Sequence, residues 1–330
     1  MKPFSHLRPF YLYAIFLCTL LFIINKNVFA LPNSAKIYIT ISVDWEGRDL
    51  DSKNLKIMDK FRQEHPNLPL LHFLNAAYFT KKGAVPEEVS KKIRSVLRQQ
   101  DELGLHIHAW KSLIEASGVN YRHFPKWTPK RYHQQQIEAC RTGDCGHEVP
   151  ISRYQATELR QIIGKSLDIL SKQGFPRPLS FRAGGWMAST NVLEALSQEG
   201  FLYDSSEISN LHFKEKLKDY AIPLWTKQLW PDASSISQPY VINTENSSVT
   251  EMPDNGCLAD YMSEYDMLKV FSENVEEWQK NPANPIYIHF GFHQETAKKY
   301  LYRVNRAIKK IKMQAEQNSL PLEFVTFNAT

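Results

Sequence analysis

The stretch "ELGLHIHAW" sets His106 and His108 one residue apart, shortly after Gly104. On a strand, side chains at i and i+2 leave the same face, so both imidazoles converge on one point. Neutral imidazole is the commonest side-chain metal ligand. Two hydrogen-bonded, half-buried histidines would show the same spacing, so the choice falls to the other ionisable residues. "ISVDWEG" carries Asp44 and Glu46, "SFRAGGW" Arg182, "GFLYDSS" Asp204, "SVTEMP" Glu251, and "IYIHFGFH" His289 and His293. Two histidines plus a carboxylate give a divalent ion three ligands and leave a position for water, as catalytic zinc requires. A second carboxylate can take that water's proton, and a distant histidine can protonate a leaving group. The combination points to metal-assisted hydrolysis.

Such a site needs elements that bring distant segments together. "KIYITISVD" alternates apolar and polar residues and predicts a strand ending at Asp44. "LPLLHFLNAA" predicts a second strand, and the segment from Pro86 to Gly104 a helix, with proline in its first turn and glycine as its stop. The strand bearing His106 and His108 follows. Residues 111–155 are polar, aromatic and rich in turn formers, and read as a long insertion over one face. The alternation then resumes: a helix ending at Gly174, "PLSFRAGG", a short helix, "FLYDSS", "SVTEMP", a helix around 259–279, "PIYIHF", a basic helix from about Thr296, and "LEFVTF". Strand–helix alternation calls for parallel pairing with right-handed crossovers. The expected fold is α/β: a distorted (β/α) barrel of about seven to eight parallel strands, forming a single domain over residues 31–330. A doubly wound open sheet is the rival, but no glycine-rich phosphate loop follows the first strand. In a (β/α) barrel the chemistry gathers at the C-terminal strand ends, where nearly every ionisable residue named above falls.

Across roughly residues 36–327 the chain resembles the polysaccharide deacetylases of the NodB-homology group, carbohydrate esterase family 4. "ISVDWEG", "ELGLHIHAW", "SFRAGGW", "GFLYDSS" and "IYIHFGFH" resemble that family's five motifs, in order. Two departures stand out. Trp45 replaces the second of two adjacent aspartates, and Trp110 holds the place of the later metal histidine. The resemblance implies zinc or a similar divalent ion on His106, with His108 compensating for Trp110 and one carboxylate completing the set. Either carboxylate suits that place; Asp44 occupies the family's base position, and Glu46, whose longer arm reaches past Trp45, is taken as the ligand. By the same resemblance Arg182 pairs with the base, and Asp204 hydrogen-bonds His289 so that it can act as acid. Trp110, Trp127 and Trp186 are candidates for stacking on sugar rings, and His293 for a substrate contact; Glu251 is a weaker candidate. His123, His133 and His147, in the insertion, are expected to be solvated. The implied activity is removal of acetyl groups from an N-acetylated amino sugar of an envelope or extracellular polysaccharide. The alternative is a decayed barrel that binds glycans without cutting them. A metal-free cyclic-amide hydrolase fits less well, because such sites lack the metal histidines.

Lys2 and Arg8, the apolar run "YLYAIFLCTLLFII" and the small-residue pattern "VFA" predict a secretory signal cleaved after Ala30, or, uncleaved, an N-terminal membrane anchor. The expected location is therefore the periplasm or beyond. The net charge of +5 falls to +2 once Lys2, Arg8 and Lys26 are removed, so no basic surface argues for nucleic acid. In an oxidising compartment Cys140 and Cys145 could close a small loop and leave Cys257 over.

Overall fold

The computed structural model describes residues 35–245 and 247–329; the expected export segment lies outside them. Among the described residues nine strands run β1 (Ile37–Asp44), β2 (Leu71–Leu74), β3 (Glu102–Ile107), β4 (Ser180–Ala183), β5 (Tyr203–Asp204), β6 (Tyr240–Asn243), β7 (Ser248–Glu251), β8 (Ile286–His293) and β9 (Leu322–Phe324). Their order is β6-β7-β5-β4-β3-β2-β1-β8, with β9 beside the first half of β1. All pair in parallel except β6, which folds back on β7. The chain is a distorted (β/α) barrel, with helices between most of its strands.

Between β7 and β8 the barrel is closed by irregular chain rather than by a strand pair. Gly256 donates to the His289 carbonyl at 2.9 Å, Gly291 to that of Cys257 at 3.0 Å, and Ala259 to that of Gly291 at 2.8 Å. A Cβ on Gly256 would lie 2.4 Å from the His289 carbonyl, so the seam closes only over a glycine.

The alternation in β1 has an unusual meaning here. Ile37, Ile39, Ile41 and Val43 join Met58, Phe61, Leu301, Val304 and Ile308 in the main apolar core. Each such side chain contributes about 1.5–3 kcal/mol by leaving water. The polar partners Thr40, Ser42 and Asp44 are also buried, and Ser42 meets Arg182 of β4 across the barrel interior. The polar face therefore looks into the barrel and not into solvent.

The helix expected from Pro86 to Gly104 stops at Arg94. Asp101 turns the chain instead, accepting from the Leu70 and Arg98 amides at 2.9 and 2.7 Å and pairing with Arg62 at 2.7 Å. Gly104 lies inside β3, where a Cβ would come within 2.5 Å of the Phe73 ring. Cys140 and Cys145 are disulfide-bonded and Cys257 is a buried free thiol. Among the described residues no helix is long and apolar enough to cross a membrane.

Candidate functional site

Register brings the chemistry to one end of the barrel. Asp44 pairs with His293 across β1 and β8, and His106 with Arg182 across β3 and β4. Above them opens a cleft of about 470 Å³, lined by Asp44, Glu46, His106, His108, His147 and His293 and walled by aromatic side chains.

Glu46 is the hub. Its carboxylate oxygens lie 3.3 Å from His106 Nε2, 2.9 Å from His108 Nε2 and 3.4 Å from His293 Nε2. Its backbone is pinned as well, the carbonyl by the Trp110 indole N–H at 2.8 Å and the Asn75 amide at 3.2 Å. The Glu295 carboxylate accepts its N–H at 3.2 Å. Burial works to raise the Glu46 pKa, but the neighbouring imidazoles, His108 first, then His293 and His106, outweigh it and hold the carboxyl well below the usual range.

The two imidazoles are oriented from behind. His106 Nδ1 is 2.8 Å from the Arg182 carbonyl and His108 Nδ1 is 2.7 Å from the His147 carbonyl. A carbonyl only accepts, so each Nδ1 carries the proton and each Nε2 of a neutral ring presents its lone pair to Glu46. His108 Nε2 is buried and makes no hydrogen bond. Lone pair against carboxylate oxygen is favourable only with positive charge between them, whether added protons or a metal ion. Backbone carbonyls fixing Nδ1–H behind metal-facing Nε2 atoms are the usual support of histidine ligands. The donors fit a divalent ion, in two overlapping groups: Asp44, Glu46 and His106, and Glu46, His108 and His147, each with its ligand atoms within 4.8 Å of one another. Gly184 makes room for this arrangement, since a Cβ there would fall 2.7 Å from the His108 ring.

Beside this group Arg182, fully buried, donates to Asp44 Oδ1 at 2.9 Å, to the Ser205 carbonyl at 2.9 Å, to Ser205 Oγ at 2.9 Å and to Ser42 at 3.1 Å. The expected pairing of Arg182 with Asp44 is present.

The pairing expected between Asp204 and His289 is absent. Asp204 accepts from Ser206 Oγ at 2.7 Å and shares its buried environment with Glu251; neither lines the cleft. His289 sits in the barrel interior, 3.2 Å from an Arg182 nitrogen and 3.3 Å from Ser205 Oγ. Burial and the Arg182 charge drive its pKa well below the ordinary value, the reverse of what an acid needs. The cause is strand length: β8 continues to His293, so His289 is mid-strand and His293 holds the end. There His293 Nδ1 meets Asp260 at 2.9 Å. Burial would lower its pKa, but Asp260, Glu46 and Asp44 raise it to about 10.

His147 is not a solvated loop histidine. Its Nε2 reaches Glu46 Oε2, and its ring stacks on that of His108 with centroids 4.0 Å apart. Burial, with the charges of His108 and Arg48, lowers its pKa to about 3 against the opposing pull of Glu46. Asp254 also went unforeseen: it accepts from the Trp186 indole at 2.9 Å and lies 3.6 Å from Arg182, with its pKa pushed to about 6, first by burial. Trp110 and Trp186 line the cleft with their indole N–H groups committed to Glu46 and Asp254. Trp186 lies flat on Phe213, and Lys81 covers the Trp110 ring at 3.6 Å, so little of either face is left for a sugar.

No protein-family model and no curated protein sequence matches the chain. Solved structures to which it is similar include an inferred polysaccharide deacetylase from Pseudomonas aeruginosa PAO1, at 13% identity over 91% of each chain with a TM-score of 0.49. Another, from Mycobacterium smegmatis, is an inferred polysaccharide deacetylase at 13% identity over 91% of each chain, TM-score 0.46. Puue allantoinase is similar at 13% identity over 86% of each chain, TM-score 0.48. Likeness at this level says nothing of activity, which has to be argued from the side chains themselves.

Proposed function

We propose that the protein is a metal-dependent hydrolase that removes acetyl groups from an N-acetylated amino sugar of an envelope or extracellular polysaccharide, outside the cytoplasm. The observation that carries the reading is the pair of backbone-oriented imidazoles, His106 and His108, aimed at Glu46 beside two further functional pairs, Asp44–Arg182 and His293–Asp260. The five motifs that resemble the deacetylase family supply the substrate class, and the disulfide suits an oxidising compartment.

Glu46, His106 and His108 would hold a divalent ion, zinc or a similar one, which when bound polarises a carbonyl and acidifies its water. Asp44, held and aimed by the Arg182 guanidinium 2.9 Å away, takes the proton of the attacking water. His293, kept protonated by Asp260, gives a proton to the departing amine nitrogen, the role that His289 cannot fill. With the Trp110 and Trp186 faces already covered, Tyr220 and Tyr261 are cleft-lining rings left to meet the apolar face of a sugar.

Acetate release from a panel of N- and O-acetylated glycans, before and after chelation, tests the reading. The expected result is release that stops with chelator and returns with a divalent ion. Tight glycan binding with no acetate from any substrate, in metal-loaded protein, would support the decayed binding barrel instead.

A further inference from the structure

We infer that His147 is a further metal ligand, delivered to the barrel mouth by the insertion. The inference rests on the metal-hydrolase reading and extends its ligand set to a residue off the barrel strands.

The insertion spans a long, irregular stretch, yet its part around His147 is tied down at almost every residue. Asp144 accepts from the Ser112 amide at 3.0 Å and Ser112 Oγ at 2.7 Å and pairs with Lys81 at 3.2 Å. The Cys145 carbonyl accepts from Lys111 at 2.7 Å, and Cys145 is bonded to Cys140. Gly146 has φ +102°, and a Cβ there would fall 2.2 Å from the Ala109 carbonyl, so the loop passes directly over the end of β3. The His147 carbonyl receives the His108 Nδ1 proton. Glu148 accepts from the Trp127 amide at 3.1 Å and forms a buried ion pair with Lys126. Such fixation is far more than a solvated loop requires, and its product is one imidazole set against Glu46.

Spacing agrees. Two ligands about 2.1 Å from a tetrahedral ion lie about 3.4 Å apart. The His106 and His108 nitrogens lie 3.3 and 2.9 Å from Glu46 oxygens, near ligand-to-ligand distance, and His147 Nε2 stands closer, at 2.5 Å, so that an ion entering between them would have to part that pair. The donor atoms of Glu46, His108 and His147 all lie within 4.8 Å of one another.

The test uses the full chain stripped of metal and titrated with Co²⁺. The affinity, from chelator competition, and the visible absorption of the bound ion report donor number and type without any substrate. His147→Ala removes the ring but keeps the backbone carbonyl that orients His108. Its affinity should fall at least about 100-fold, beyond the 10–100-fold typical of outer-shell losses, and the spectrum should change. His147→Gln, which keeps most of the volume, should behave alike and guards against misfolding of the alanine variant. His133→Ala, elsewhere in the insertion, should match wild type. Wild-type affinity and spectrum in both His147 variants would overturn this inference and leave the hydrolase reading standing. Failure of wild type to bind any divalent ion would overturn both.

Discussion

Asp44 and His293 face each other across the register of β1 and β8, and each is held by one charged partner, Arg182 or Asp260. That division of labour makes distinct predictions. Asp44→Asn keeps the shape but cannot accept a proton, so turnover should fall about 10²–10⁴-fold while metal content stays at the wild-type level. Asp260→Asn removes the leading charge that lifts His293 against its burial. The His293 pKa must then drop, and the alkaline limb of the pH–rate profile should move to lower pH. A profile unchanged in Asp260→Asn would take the acid role away from His293. At this scale most of the site was legible: Asp44, Glu46, His106, His108 and Arg182 stand together as their spacing implied. His293 holds the strand end and His289 lies mid-strand, a difference hidden in the sequence because "IYIHFGFH" offers no break after Phe290 to tell a strand end from a strand middle. His147 and Asp260 were illegible, since neither belongs to a periodic segment and both reach the site through irregular chain.

Among the elements, β3 and β4 do the aligning. Gly184, just past β4, leaves the space that the His108 ring fills. Gly184→Ala should push that ring off Glu46. A methyl inserted into a filled site costs about 1–3 kcal/mol, but metal affinity should suffer out of proportion to the change in melting temperature. Equal small losses in both would mean that the ring simply moves aside. The helices were legible where the apolar period ran cleanly, as in Ala156–Lys172. The helix from Pro86 was drawn too long because Leu97 and Leu103 continue the period by chance, whereas Asp101 gathers backbone amides and forces the turn.

For the molecule as a whole, the barrel interior is polar, and that has a cost that depends on pH. Asp204 and Glu251 are buried together. Burial, first of all, raises both, Asp204 to about 6 and Glu251 well above the usual carboxylate range. Groups whose folded pKa is raised stabilise the fold most fully below their unfolded values, near 4. That contribution is lost as pH climbs through about 6 and above. Glu251→Gln keeps an acceptor for the Glu207 amide, now bonded at 2.8 Å, and cannot ionise. Its unfolding free energy should therefore decline less than that of wild type between pH 5 and 8, at roughly 1.4 kcal/mol per pKa unit removed. Denaturant titrations across that range would show it, and parallel curves would mean that the pair does not titrate on unfolding.

The proposed divalent ion belongs between Glu46 and the imidazoles of His106, in β3, and His108, just past its end. Elemental analysis of the full-length protein and of His106→Ala and His108→Ala, all purified without added metal, tests it most directly. Wild type should carry about one divalent ion per chain, and both variants should lose most of it with their folds intact. A metal-free wild type, or His108→Ala that keeps its ion in full, would contradict it.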